Sequence, residues 1–130
     1  MKSVKNQILV TGSNGQLGKS LQDIALYYPQ FDFIFTTKKE LDITKPQQIA
    51  AFFHERAISF CINCAAYTQV DQAEGEPEKA FEINAEAVKY LALACKAHNT
   101  TLIHISTDYV FDGTKRTPYK TTDPVNPINV

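Results

Sequence analysis

Gln7-Ile-Leu-Val-Thr-Gly-Ser-Asn-Gly-Gln-Leu-Gly18 runs an apolar strand straight into three spaced glycines and then into a helix, and the reading of this stretch decides the fold. Gly12, Gly15 and Gly18 form a G-x-x-G-x-x-G pattern, in which glycines permit a tight turn, the close approach of a pyrophosphate and the packing of helix on strand. A helix starting there would aim free backbone N–H groups and a partial positive charge at a phosphate. On its own the pattern is equally the mark of a plain turn after a strand. The flanking units have to decide.

Working outward, Leu17, Leu21, Ile24 and Ala25 recur at helical spacing and predict a helix from Leu17 to Tyr28, ended by Pro29. Phe31 to Thr37 is aromatic and β-branched and reads as a second strand, followed by a polar loop, Lys38 to Ile43, with Leu41 and Ile43 as apolar pegs. Thr44, with Pro46 behind it and Gln47 three residues on, predicts an N-cap for a helix that buries Ile49, Phe52 and Phe53 up to about Arg56. Ile58 to Asn63 is almost continuously apolar, as in a strand covered on both faces. After the Ala65–Asp71 loop and a short turn of helix within Gln72–Glu78, Pro77 opens a long helix. Its stripe is Phe81, Asn84, Val88, Leu91, Ala92 and Cys95, and His98-Asn99 closes it. Leu102 to Ser106 reads as a fourth strand, and Thr107 to Val130, with Pro118, Pro124 and Pro127, reads as loop.

Strands alternating with helices predict an α/β fold, a doubly wound, Rossmann-like parallel sheet with the expected strand order 3-2-1-4. The segments leaving the carboxyl ends of its strands are 12–18, 37–43, 63–71 and 106–113. All four are polar or glycine-bearing and would converge on one crevice, where such folds bind ligands.

A length of 130 residues is one domain, and 44% hydrophobic with 21% charged residues is ordinary globular composition, which predicts a soluble protein. The net charge of −1 gives no reason to expect nucleic acid or a membrane surface as partner. No run of about 18 apolar residues and no signal peptide is present, so the cytoplasm is the expected location. The three cysteines suit a reducing compartment. Cys61 and Cys64 could suggest a redox or zinc pair. A spacing of three on a strand, however, turns the side chains to opposite faces, and no second pair exists, so no metal site is expected and the cysteines read as core. His104, among Leu102, Ile103 and Ile105, also reads as a core residue, while His54 and His98 read as helix-surface or helix-end residues. Asp71 and Glu74 read as a solvated turn.

Thr11-Gly-Ser-Asn-Gly-Gln-Leu-Gly18, Glu40-Leu-Asp-Ile43, Asn63-Cys-Ala-Ala-Tyr-Thr68 with Val70-Asp71, and Ile105-Ser-Thr-Asp-Tyr-Val-Phe-Asp-Gly113 together resemble the extended short-chain dehydrogenase/reductases. Within that family the likeness is to nucleotide-sugar reductases that convert dTDP-4-dehydro-L-rhamnose to dTDP-L-rhamnose with a nicotinamide cofactor. The resemblance implies that residues 1–130 are an incomplete NAD(P)-binding domain. It implies that Gly12, Gly15, Gln16, Leu17 and Gly18 border the pyrophosphate, that Asp42 and Ile43 flank the adenine, and that Ala65, Ala66 and Tyr67 follow the nicotinamide-side ribose and phosphate. Thr107 matches the catalytic hydroxyl that holds the substrate carbonyl and the alkoxide formed from it, an oxyanion-type role. Asp108 matches a substrate contact. For Asn84, an amide inside an apolar stripe, two roles stay open: positioning active-site backbone and water, or capping a neighbouring strand's carbonyl.

Two departures from the family pattern follow. Where an acidic residue usually takes the adenosine ribose hydroxyls, this chain has Thr36-Thr37-Lys38-Lys39. The missing carboxylate and the lysines favour a 2′-phosphate at Thr37 and Lys38, so NADP(H) is the preferred coenzyme, with NAD(H) as second. The lysines also fit a plain solvated loop. The family's proton donor is a Tyr with Lys four residues later, and none of the six tyrosines here has that partner. That Tyr would follow the stretch matching Pro124-Val-Asn-Pro-Ile-Asn-Val130 almost at once. The chain is therefore expected to be a coenzyme-binding part of a longer reductase, truncated before the later strands and the substrate domain, and inactive alone. Its outer strand would be left with an open edge, which predicts weak stability, self-association, a homodimer among the allowed assemblies, or a structure in which something covers that edge. A non-catalytic alternative also stays open, because the β subunit of methionine adenosyltransferase shares this fold and a very similar Ser-Thr-Asp-Tyr-Val-Phe-Asp-Gly run. A reductase of another sugar nucleotide is a third reading.

Overall fold

The computed structural model describes residues 5–129. Met1–Val4, ahead of the first strand, and Val130, the last residue of the stretch expected to lead to the proton donor, lie outside the described residues. In chain order the elements are β1 (Asn6–Thr11), α1 (Gln16–Ala25), β2 (Phe31–Phe35), α2 (Pro46–His54), β3 (Ile58–Asn63), α3 (Val70–Gly75), α4 (Pro77–Phe81), a π-helical turn (Glu82–Glu86), α5 (Ala87–Ala97) and β4 (Thr101–His104).

All strand pairs are parallel, and their order is β2-β1-β3-β4. This corrects the expected order 3-2-1-4: the crossover through α2 returns past β1 and places β3 on its far side. Burial explains the choice. The apolar run Ile58–Asn63 has both ends and Cys61 buried and needs a neighbour on each edge, whereas Phe31–Phe35 is only half-buried and can stand at the rim. The reversal of winding direction therefore falls between β1 and β3, which puts the ligand crevice of such a sheet above those two strands.

The two faces of the sheet are covered unequally. On one, Leu9, Cys61 and Ile58 pack with Ile49 and Phe53 of α2, with Ala87, Leu91 and Cys95 of α5, and with the loop pegs Leu41 and Ile43. Burying a Leu, Ile or Phe side chain there contributes about 1.5–3 kcal/mol each. The small Ala80 and Ala87, rather than the expected Phe81, take the inner positions of the long helix, and Phe81 is exposed. On the other face the register aligns Phe33, Ile8 and Phe60, and beside them Phe35, Val10, Ile62 and Ile103. Cover there fades toward β4, where Ile103 and Ile105 are exposed. His104 is accordingly not a core residue as expected but an exposed one.

Two local expectations also change. Lys45, not Thr44, precedes α2, and no side chain caps that helix. Thr44 instead donates its hydroxyl and N–H to Asp42 Oδ1 at 2.7 and 3.1 Å. The long helix is broken in the middle by the π turn that contains Asn84. Its end is as expected: Asn99 takes φ 55°, and the Thr100 N–H closes back on the Cys95 carbonyl at 2.8 Å, a Schellman-type stop. Among the described residues no helix is long and apolar enough to cross a membrane.

Candidate functional site

The glycine turn is shaped by backbone contacts that exclude side chains. Gly12 has φ +63°, and a Cβ there would stand 2.6 Å from the Ala65 nitrogen, so the end of β1 and the start of the loop after β3 touch through bare backbone. A Cβ on Gly18 would meet Ser13 Cα at 2.5 Å, which identifies Gly18 as the residue that lets α1 lie on the turn. Gly15 is different: its Cβ position meets only the Gly12 carbonyl, at 3.3 Å, and the residue is exposed in the crevice. Gly15 is the N-cap of α1, no side chain caps this end, and no acidic residue lies in the first turn. The free N–H groups of the turn are thus offered to an anion.

Beyond the turn, a cleft of about 210 Å³ is lined by Gly12, Gly15, Lys38, Asp42, Ile43, Ala65 and Ala66, together with Asn14, Thr44, Cys64 and Ile83. Leu41 and Ile43 are buried and anchor the loop, so that Asp42 is held between two fixed points. The Asp42 N–H donates to Gln48 Oε1 at 3.1 Å, and Lys38 Nζ stands 3.9 Å from its carboxylate. Burial pushes the Asp42 carboxyl up, but the hydrogen bonds from Thr44, with Lys38 and Lys45 nearby, outweigh it and hold it below its ordinary value.

The carboxylate that is missing from the end of β2 in the sequence is present there in space. Glu40 folds back and accepts both the Thr37 N–H, at 2.7 Å, and the Thr37 hydroxyl. Those hydrogen bonds hold its carboxyl below the ordinary range.

Where the strands end, one buried amide joins three of them. Asn63 Oδ1 accepts the Thr11 hydroxyl at 2.6 Å and the Ala65 N–H at 3.2 Å, and its Nδ2 faces His104 Nδ1 at 3.1 Å. With its oxygen fully used, the amide donates to the histidine, which fixes Nδ1 as acceptor.

The second cleft, about 1050 Å³, opens on the other side of the turn and is lined by Gln16, Leu17, Tyr67, Thr107, Asp108 and Tyr109 among others. Gly15, Cys64, Ala65 and Ala66 border both clefts, so the two form one continuous trough across the carboxyl ends of the strands. Asn84 holds its floor: its Oδ1 accepts the Tyr67 N–H at 2.8 Å and its Nδ2 donates to the Tyr67 carbonyl at 3.0 Å. Among the described residues Asn84 caps no strand carbonyl: its partners are both on the Tyr67 peptide groups of the loop that lines the trough, and it holds them from a π turn, a distortion frequent at functional sites. The Tyr67 hydroxyl donates to Glu76 at 2.7 Å, a bond that raises the phenol's pKa.

Of the residues matched in the sequence to coenzyme or substrate, all line the trough except Gly18, which lies buried beneath it, and Thr37, whose donors are turned onto Glu40. Cys61 is core, packed with Cys95, whereas Cys64 is half-buried at the trough. Among the described residues no group of three or more His, Cys, Asp or Glu is placed to hold a metal ion. Sequence reasoning missed Glu40, Asn63 and Asp112 as organising groups. Each stands inside a quoted motif, but none differs in type from an ordinary turn or strand-end residue.

Comparison with known proteins gives the trough a context. The family described as "RmlD substrate binding domain" matches residues 6–130. A dTDP-4-dehydrorhamnose reductase from Aggregatibacter actinomycetemcomitans is 41% identical over 124 residues, which is 95% of this chain and 42% of that protein. A dTDP-4-keto-6-deoxy-D-glucose reductase from Streptomyces niveus is 37% identical, over 93% of this chain and 42% of that protein. The crystal structure of dTDP-4-dehydrorhamnose reductase from Bacillus anthracis in complex with NADP superimposes with a TM-score of 0.91 at 40% identity. The match covers 99% of this chain and 46% of that one. The chain thus spans less than half the length of these relatives.

Proposed function

This chain belongs to the RmlD substrate binding domain family, and from that premise we propose that the whole protein reduces the C4 ketone of dTDP-4-dehydro-L-rhamnose to dTDP-L-rhamnose. NADP(H) is its preferred coenzyme and NAD(H) its second. Residues 1–130 act as the coenzyme-binding part. The observation that carries this reading is the continuous trough, which runs from Asp42 and Ile43 past the bare Gly15 to Thr107.

The chain's own groups fit a dinucleotide. Gly15, bare and exposed in the crevice, and the uncapped start of α1 form a backbone cradle that suits a pyrophosphate, on a turn whose path Gly12 sets. Asp42 and Ile43 flank the adenine, Lys38 and Thr37 take its ribose end, Thr37 by exchanging Glu40 for the 2′-phosphate as acceptor of its donors, and Ala65, Ala66 and Tyr67 line the path toward the nicotinamide. When bound, the reduced nicotinamide supplies a hydride to the sugar C4. The Thr107 hydroxyl donates to the ketone oxygen and stays with it as negative charge develops, which favours the transition state over the ground state. Asp108 contacts the substrate beside it. The proton that completes the reduction comes from a Tyr activated by a Lys, a pair outside this chain.

The test is to mix the full-length protein with dTDP-4-dehydro-L-rhamnose and NADPH, expecting loss of NADPH absorbance and formation of dTDP-L-rhamnose. No consumption of NADPH overturns the proposal. The Streptomyces niveus relative supports a second reading, in which the ketone belongs to another dTDP-linked deoxysugar; turnover of that sugar in preference would select it. The reaction is assigned to the cytoplasm, and sedimentation of the full-length protein tests the homodimer.

A further inference from the structure

The segment after β4 contains no helix or strand, yet it is closely fastened around one carboxylate. Asp112 Oδ1 accepts the Thr114 N–H at 3.0 Å, the Thr114 hydroxyl at 2.7 Å and the Tyr119 hydroxyl at 3.2 Å, and Oδ2 accepts Asn126 Nδ2 at 3.1 Å. Three donors thus converge on Oδ1 and a fourth takes Oδ2, so both carboxylate oxygens are engaged. The backbone repeats the longest of these links, because the Asn126 N–H donates to the Val110 carbonyl at 3.0 Å. Beneath it, the Phe111 and Tyr119 rings stack at 4.2 Å with planes 3° apart. Asp112 is held far below the ordinary carboxylate range, first by the Thr114 N–H and then by the other donors.

The double link between 110–112 and 126 has a functional position. Immediately before it stand Thr107, Asp108 and Tyr109, and immediately after it Pro127 and Asn129. Both groups line the larger end of the trough. We propose that Asp112 is a positioning residue that holds these two stretches together as one wall of the trough and so sets where the Thr107 hydroxyl meets the substrate carbonyl. The proposal rests on the reading of Thr107 given above. It also means that the direction in which the chain leaves Asn129 depends on the same carboxylate.

The test uses the full-length protein and the isosteric variant D112N. The amide keeps the shape but has one oxygen, and its NH₂ must face donors at Thr114 and Tyr119 or at Asn126. A misplacement of about 1 Å at a reacting group costs up to roughly a hundredfold in rate. The expected result is a ten- to hundredfold fall in kcat with NADP⁺ affinity unchanged. Faster hydrogen exchange should be confined to 107–126, with β1 to β3 protected as before. The reciprocal double variant D112N/N126D restores a carboxylate–amide pair across the link and should recover part of kcat. Wild-type kcat in D112N overturns the proposal and leaves the reading of the trough intact, as does a loss of kcat that comes only with global unfolding. If the wild-type protein itself turns over no dTDP-4-dehydro sugar, the reading of Thr107 and this proposal fall together.

Discussion

The two ends of the trough are built by opposite means. At the glycine turn the surface offered to a ligand is backbone, and its shape follows from how β1 and β3 approach each other. A side chain at Gly12 would strike Ala65 and Cys64 main-chain atoms at 2.6 to 2.7 Å. After Thr107 no strand pairing dictates the path, and the segment is fastened by four hydrogen bonds to the Asp112 carboxylate instead. Changes at the first end should therefore act through sterics and the fold, and changes at the second through local order with the sheet intact.

The sharpest way to break this contrast lies within the turn itself. Gly12→Ala puts a Cβ into backbone at φ +63°, and the left-handed conformation and the overpacking together cost about 3 kcal/mol. Urea unfolding of the full-length protein should show that loss, and dinucleotide binding should fail. Gly15→Ala meets only one oxygen, at 3.3 Å, so stability should barely change while NADP⁺ affinity drops, because the methyl intrudes on the phosphate path. Equal losses of stability in the two variants would show that the turn is not divided into a structural and a ligand-facing glycine.

Next in size is the amide that joins the two ends. Asn63→Ala leaves the buried Thr11 hydroxyl and the Ala65 N–H without an acceptor, at a cost of about 2–3 kcal/mol. Thr11→Val removes only one donor and should cost less than half as much. If thermal unfolding ranks Thr11→Val as the more damaging, Asn63 is not the hub.

The contrast also sets how much was legible beforehand. The shape of the glycine turn was legible once the flanking units were read with it, because φ, steric room and helix polarity follow from glycine spacing after an apolar strand. That Gly18 lies buried under the turn, and not beside a ligand, was not legible. The four strands were legible from their apolar runs, but their order was not. Periodicity says which faces are buried, whereas order depends on which strand has neighbours on both edges, and only the almost continuously apolar run Ile58–Asn63, against Phe31–Phe35 with its Asp32, pointed that way. The roles of Glu40 and Asp112 were hidden for a different reason. Their donors lie two to fourteen residues away, and although the Asp112–Thr114 contact is an ordinary Asx turn, no spacing rule relates Asp112 to Tyr119 and Asn126 along an irregular path. His104 misled because an apolar strand was taken to be covered on both sides, and β4 is not.

Glu40 offers a smaller test at the adenosine end. Its carboxylate already occupies the Thr37 donors, where a 2′-phosphate would seek them, and Lys38 leans toward Asp42. Glu40→Gln keeps an oxygen for the Thr37 N–H and removes the charge. For an exposed carboxylate about 5 Å from a phosphate dianion, with water between them, the Coulomb term predicts roughly a tenfold rise in affinity for NADP⁺ relative to NAD⁺. An unchanged ratio, measured by titrating both dinucleotides, would mean that the phosphate lies out of reach of this carboxylate.

The smallest expected effect is an acid tolerance at the Asp112 end. Asp112 is lowered by the Thr114, Asn126 and Tyr119 donors, and Asp123, 2.5 Å from Lys115 Nζ, is lowered by Lys115 and by the Lys120 N–H. For a carboxylate whose folded pKa is depressed, the stabilising contribution is complete above the unfolded value of about 4 and is lost as pH falls through the lower folded value. Hydrogen exchange of 107–126, corrected for intrinsic rates, should therefore stay level from pH 7 to about pH 4 and rise only below it. An unpaired carboxylate would already be losing its charge at the upper end of that fall. Loosening that begins between pH 6 and pH 5 would mean that the donors around Asp112 do not hold the segment in solution. The division between a backbone-built and a side-chain-built end would then lose its second half.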